Sequence, residues 1–162
     1  MRLRSERIAC PDGTLAGEVV VEHGRISSVG RVPNEVGGRA SREDDELVQL
    51  GDRWIVPGYI DLHVHGGGGQ CNTSKVEEIA EVADFHARHG TTGLLATTVA
   101  APVEDLCDAL AAIARCQAPN LLGAHLEGPF LSREWPGAMD PSRLLDPDVR
   151  QLERLLAAGA GR

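Results

Sequence analysis

Aromatic side chains are scarce: Phe, Tyr and Trp make up 3% of the 162 residues. A core must then be built from Leu, Val, Ile and Ala. Positive charge is in deficit, with 16 Lys and Arg against 24 Asp and Glu and a net charge of −8. That balance excludes nucleic acid and an anionic membrane as main partners. No apolar run approaches the ~18–20 residues that cross a bilayer. Residues 1–6 are polar and lack the apolar stretch of a secretory signal, so a cytoplasmic location is expected. The four cysteines, Cys10, Cys71, Cys107 and Cys116, form no C-x-x-C pair. On one helix, Cys107 and Cys116 face opposite ways at about 100° per residue. A disulfide scaffold or zinc knuckle is excluded, and the cysteines read as small reduced apolar residues.

Two stretches differ in period, and no internal repeat is present. Residues 1–56 read as short strands. The β-branched run 17–22 and its partner 25–29 flank a His23-Gly24 turn. Residues 31–46 are polar and read as an exposed loop, with 42–46 a solvated charge run. Residues 47–50 and 54–56 suggest one or two more strands, closed by Pro57-Gly58.

From residue 57 the pattern becomes strand-helix-strand-helix. Strand 59–65 alternates, with Ile60, Leu62 and Val64 on one face and Tyr59, Asp61, His63 and His65 on the other. Gly66 to Gly69 form an exit loop, without the G-K-[ST] of a phosphate-binding loop. Ser74 and Glu77 form a capping box. The helix behind it carries Val76, Ile79, Ala80, Ala83 and Ala87 on one stripe and stops at Gly90. A strand over 91–99 follows, then a helix opened by Pro102 with Val103, Leu106, Leu110 and Ala114 on one face. The third strand is 121–126. After a long loop, a helix begins at Asp146-Pro147 and carries Leu152, Leu155 and Leu156. Three βα units imply a parallel sheet. A closed barrel needs about 200–250 residues, so residues 57–162 are either a small α/β unit or the front of a larger design.

Two clusters carry chemistry. In P-G-Y-I-D-L-H-V-H, His63 and His65 stand at i and i+2 at a strand end, where two imidazoles can converge on one cation. Asp61 is placed to orient such a ligand from behind. The bland alternative is two idle surface histidines. In G-A-H-L-E-G-P-F, His125 and Glu127 repeat the spacing at the next strand end but one. An unpaired carboxylate on an apolar strand is costly, and a cation relieves that cost; a solvated or His-paired Glu127 does so equally.

Residues 57–69 together with H-L-E-G-P-F-L-S at 125–132 resemble the N-acetylglucosamine-6-phosphate deacetylases of the amidohydrolase superfamily. P-G-x-I-D-x-H-x-H is shared across that superfamily, whereas H-L-E-G-P-F is narrower. The resemblance runs along the whole chain but over about two fifths of a family member. It implies an α/β fold: an incomplete TIM-like (β/α) barrel of about three βα units over 57–162, preceded by a portion of a small β-sandwich over 1–56. It implies removal of the N-acetyl group from N-acetylglucosamine 6-phosphate, with one or two divalent ions, zinc being expected. Glu127, His63 and His65 match metal ligands, with His125 behind them, and Ala138 and Met139 match a substrate-lining pair. Where the family usually has His, this chain has Met139, and a thioether cannot donate a hydrogen bond to the sugar phosphate. No residue matches the family's two later histidine ligands, its Arg and His for the phosphosugar, or its general-base aspartate. The chain alone is therefore expected not to turn over.

Rival readings are another amidohydrolase acting on a cyclic amide, and a non-catalytic piece that completes a barrel with a second chain. His23, His86 and His89 read as turn and helix-end residues, and Trp135 as a large residue on a long loop. An unclosed sheet exposes an edge and an apolar face, so self-association or a homodimer is expected.

Overall fold

The computed structural model describes residues 1–32, 46–72 and 74–161. Almost all of the polar loop expected over 31–46 lies outside the described residues. The chain divides into two compact units, Met1–Pro57 and Gly58–Arg162. Among the described residues no helix is long and apolar enough to cross a membrane, and Cys10, Cys71 and Cys107 are free thiols.

The described residues of the first unit form one sheet. Its strands are β1 (Arg2–Cys10), β2 (Gly13–Glu22), β3 (Arg25–Gly30), β4 (Leu47–Gln49) and β5 (Trp54–Ile55). Their order is β3-β2-β1-β4, with β5 also on β1. The expected hairpin forms, and His23 and Gly24 take φ of 52° and 73°, the left-handed pair that a two-residue turn requires. The central strand β1 lacks the apolar alternation that announces a strand. Its charges are used across the sheet instead. Arg2 Nε and Arg4 Nε donate to the two carboxylate oxygens of Glu18 at 2.9 and 2.8 Å, and Glu18 is 6% exposed.

Burial pushes the Glu18 carboxyl up, but hydrogen bonds and charge from Arg4 and Arg2 outweigh it and hold the group below its ordinary value. A carboxyl whose folded value lies below its unfolded one adds stability above the unfolded value and loses it as pH falls through the folded one. Glu18→Gln should therefore cost about 2 kcal/mol at pH 7 and flatten the acid limb of the unit's stability below about pH 4.5. Thermal melts of both proteins between pH 2 and 7 check this.

The second unit begins with β6 (Tyr59–Val64), a small hairpin of β7 (Gly66–Gly67) and β8 (Gln70–Cys71), and α1 (Val76–Arg88). It continues with β9 (Thr91–Thr97), α2 (Val103–Arg115), β10 (Leu121–His125), a 3-10 turn at Pro141–Arg143 and α3 (Val149–Ala158). Strands β10, β9 and β6 form a parallel three-stranded sheet in that order. Of the glycine run, Gly66 and Gly67 are paired in this hairpin, with Cys71 and Gln70, and Gly68 and Gly69 make its turn.

Helix details depart from expectation in instructive ways. Lys75, not Ser74, is the N-cap residue of α1, and it makes no side-chain cap. Pro102 stands just before α2, and Asp148 caps α3 by accepting from the Arg150 and Gln151 amides. The buried stripe of α1 is Ile79, Val82 and Ala83, continued by His86, whose Nε2 lies 3.0 Å from the Gly66 carbonyl oxygen. Ala87 is exposed. The polar His86 at i+7 hid the true phase. On α3 only Leu155 is buried, with Leu152 and Leu156 exposed.

The core lies between the sheet and its helices. Val64, Ile79, Val82, Leu94, Ala96, Ile113 and Leu121 form its main cluster, and Leu106, Leu110 and Leu155 a second. The expected single face of Ile60, Leu62 and Val64 is broken. Asp61 pairs with Leu94 and Val64 with Ala96, so β6 holds one extra residue between them. This irregularity resets the alternation, burying Val64 at 4% exposure and leaving Ile60 and Leu62 exposed. A Cβ on Gly93 would meet both Ile60 Cδ1 and Leu122 Cδ1 at 2.9 Å, so Ile60 and the likewise exposed Leu122 lie together over Gly93.

An uncovered apolar patch of this kind drives association. Light scattering of the chain should show species larger than a monomer, and the double substitution Ile60→Lys, Leu122→Lys should shift the population toward monomer. A monomeric native chain contradicts this.

Candidate functional site

Parallel pairing brings the C-terminal ends of β6, β9 and β10 to one edge of the sheet. Strand β6 delivers His63, with His65 directly after it, and β10 ends at His125, two residues before Glu127. Gly128, at φ +82°, then turns the chain away, a conformation that costs glycine little.

His63, His65 and Glu127 converge. His63 Nε2 lies 3.0 Å from His65 Nε2 and 3.0 Å from Glu127 Oε2. His65 Nε2 lies 2.9 Å from the same carboxylate oxygen. Both imidazoles are exposed, at 49% and 43% of their side-chain surface, and Glu127 is half-buried. This triangle cannot be satisfied by hydrogen bonds alone. Each Nε2 carries either one proton or one lone pair. A proton shared between the rings leaves at least one of them with nothing to offer the carboxylate. A cation at about 2.0–2.2 Å from imidazole nitrogen and carboxylate oxygen leaves such donors about 3.0–3.5 Å apart, the short end at angles of about 90° and the long end in a tetrahedron. The donor set and its spacing therefore fit a divalent metal ion, and these three residues are the ones that could hold it.

The other expected residues take distinct places. His125 packs edge-on against His63 with ring centroids 4.8 Å apart, and its Nδ1 lies 3.3 Å from Thr97 Oγ1. Asp61 accepts from the backbone N–H of His63 at 3.1 Å, so its contact is with the strand. The Met139 sulfur accepts from the Ala100 N–H at 3.3 Å, tying the long loop to the segment after β9, and Ala138 is exposed. A cavity of about 230 Å³, to which none of the three converging side chains contributes, is lined by Asn72, Ser74, Thr98, Asp105 and Asp108 among others. Trp135 is 83% exposed. His89 caps α1, its Nδ1 2.8 Å from the Phe85 carbonyl oxygen.

Sequence reasoning missed Asn72 and Thr97. Asn72 Nδ2 donates to the Val64 carbonyl, and Thr97 Oγ1 accepts from the Val64 N–H at 2.9 Å. Asn72 stands just past the glycine run and Thr97 closes β9, but neither has a spacing that announces a role.

No protein-family model matches the chain. The N-acetylgalactosamine-6-phosphate deacetylase of Escherichia coli O157:H7 is 32% identical, over 96% of this chain and 40% of its own length. The crystal structure of N-acetyl-D-glucosamine-6-phosphate deacetylase from Mycobacterium smegmatis matches with a TM-score of 0.85 and 34% identity, over 99% of this chain and 41% of that one. The chain's relatives are amino-sugar 6-phosphate deacetylases. The Homo sapiens N-acetylglucosamine-6-phosphate deacetylase is a further one, 31% identical over 88% of this chain and 36% of its own length. A mutant of the mycobacterial deacetylase is known in complex with N-acetyl-D-glucosamine-6-phosphate. The family read from H-L-E-G-P-F is the family these relatives carry, and the α/β fold is theirs. This chain spans about two fifths of the length of the deacetylases it matches.

Proposed function

We propose that this chain is the N-terminal portion of a metal-dependent hydrolase that removes the N-acetyl group of N-acetylglucosamine 6-phosphate. In this reading, residues 57–162 are the first staves of a TIM-like barrel and residues 1–56 part of a small β-sandwich. The open face bearing Ile60 and Leu122 receives the remaining staves or a second copy. The observation that carries the reading is the triangle of His63, His65 and Glu127 donors at 2.9–3.0 Å.

His63, His65 and Glu127 would hold the ion, for which two nitrogens and one oxygen suit zinc. When bound, such an ion polarises the amide carbonyl and makes water a better nucleophile near neutral pH. His125 holds the His63 ring in place from behind, and Asp61 fixes the backbone beneath it. Ala138 and Met139 contribute an apolar wall for the sugar phosphate, without the hydrogen bond an imidazole would offer there. The reaction takes one water and releases acetate and the free amine. It needs a general base, and in this reading His63, His65 and Glu127 are committed to the ion. On that ground the chain alone is proposed not to turn over.

Calorimetric titration with zinc should give about one equivalent bound, and His65→Ala or Glu127→Ala should weaken binding at least about tenfold. Binding that ignores both substitutions overturns the site. Incubated with zinc and N-acetylglucosamine 6-phosphate, or with its galactosamine epimer, the chain should release no acetate above the enzyme-free control. Turnover at rates typical of an enzyme, about 1 per second or more, contradicts the proposed inactivity, and its preference between the epimers then names the substrate.

A further inference from the structure

The two imidazoles sit on a segment that the strand ladder supports poorly, because the β6–β9 register slips between Asp61 and Val64. Side chains hold it instead. The Val64 N–H donates to Thr97 Oγ1 at 2.9 Å. The Val64 carbonyl accepts from Asn72 Nδ2, and the His65 carbonyl accepts from the Asn72 backbone N–H at 3.0 Å. Asn72 Nδ2 also reaches the Thr97 carbonyl at 3.4 Å. The same Thr97 hydroxyl lies 3.3 Å from Nδ1 of His125, whose ring packs on His63. Thr97 is 1% exposed, so no solvent competes for these contacts.

We infer that Thr97 and Asn72 are positioning residues that clamp the backbone between His63 and His65 and set the separation of the two imidazoles. The geometry is economical. One hydroxyl grips the peptide between the two histidines and the ring behind the first of them. One amide side chain and its own backbone N–H grip the two successive carbonyls. Neither residue is among the three converging donors, so both act through the strand. A twofold grip on a three-residue segment fixes its peptide planes, and with them the directions in which the two Cα–Cβ bonds leave. The functional consequence rests on the metal reading, and the clamp itself does not.

Three variants test it: Thr97→Val, which keeps the shape and removes the acceptor, Thr97→Ser, which restores it, and Asn72→Ala. In metal-free protein, amide exchange at Val64 should accelerate in Thr97→Val, relative to the amides of α2, and return toward the native rate in Thr97→Ser. Zinc affinity should fall about 10–100-fold in Thr97→Val and Asn72→Ala. The visible spectrum of the cobalt-loaded protein should change in the same two variants, with Thr97→Ser close to native. A residue that merely supports the fold lowers Tm yet leaves the affinity and cobalt spectrum of the folded protein native; that result overturns the inference. Should Thr97→Val not fold, Asn72→Ala and Thr97→Ser decide it by the same readouts. If the native chain takes up no zinc, the metal reading fails, and the clamp then stands or falls on Val64 exchange alone.

Discussion

Parallel strand pairing is the constraint from which the site follows. It sends the ends of β6, β9 and β10 to the same edge, so residues 62 positions apart in sequence, His63 and His125, come into ring contact. Two imidazole nitrogens and a carboxylate oxygen then crowd within 3.0 Å of one another, an arrangement with more acceptors and donors than protons can reconcile. The packed layer behind it, Val64, Leu94 and Ala96 against Ile79 and Val82, makes this crowding rigid.

The interruption in β6 is the price of that convergence. A regular strand would bury or expose residues by strict alternation. The extra residue between Asp61 and Val64 seats Val64 in the core while the histidines on either side of it stay exposed. The ladder bonds lost there are replaced by Asp61, Thr97 and Asn72, so the segment with the least regular backbone carries a dense set of side-chain supports. The first unit solves a similar problem by charge: arginines of a polar central strand are held by a buried glutamate on the strand beside it.

The convergence of His63, His65 and Glu127 was more legible than the packing. His63, His65 and Glu127 were readable because i, i+2 spacing at a strand end is short-range geometry, and H-L-E-G-P-F is narrow enough to select one family. Strand β1 was not, since its charged residues are satisfied by a partner 14 to 16 residues away, which no local period reveals. The phase of α1 slipped because His86 occupies the stripe, with its ring nitrogen answered by a carbonyl from β7. Leu62 was expected to share a face with Val64, through an alternation that the extra residue interrupts. Thr97 and Asn72 escaped notice because their role is to hydrogen-bond backbone, and threonine and asparagine do so in most loops without functional meaning.

The chain is similar to amino-sugar 6-phosphate deacetylases over about two fifths of their length. The most direct test is an X-ray absorption spectrum of the chain loaded with one equivalent of zinc. Light-atom scattering at about 2.0–2.2 Å with the outer-shell pattern of two imidazoles is the predicted result. A hydrated ion with no imidazole scattering, or a sulfur shell from the exposed Cys71, would contradict it.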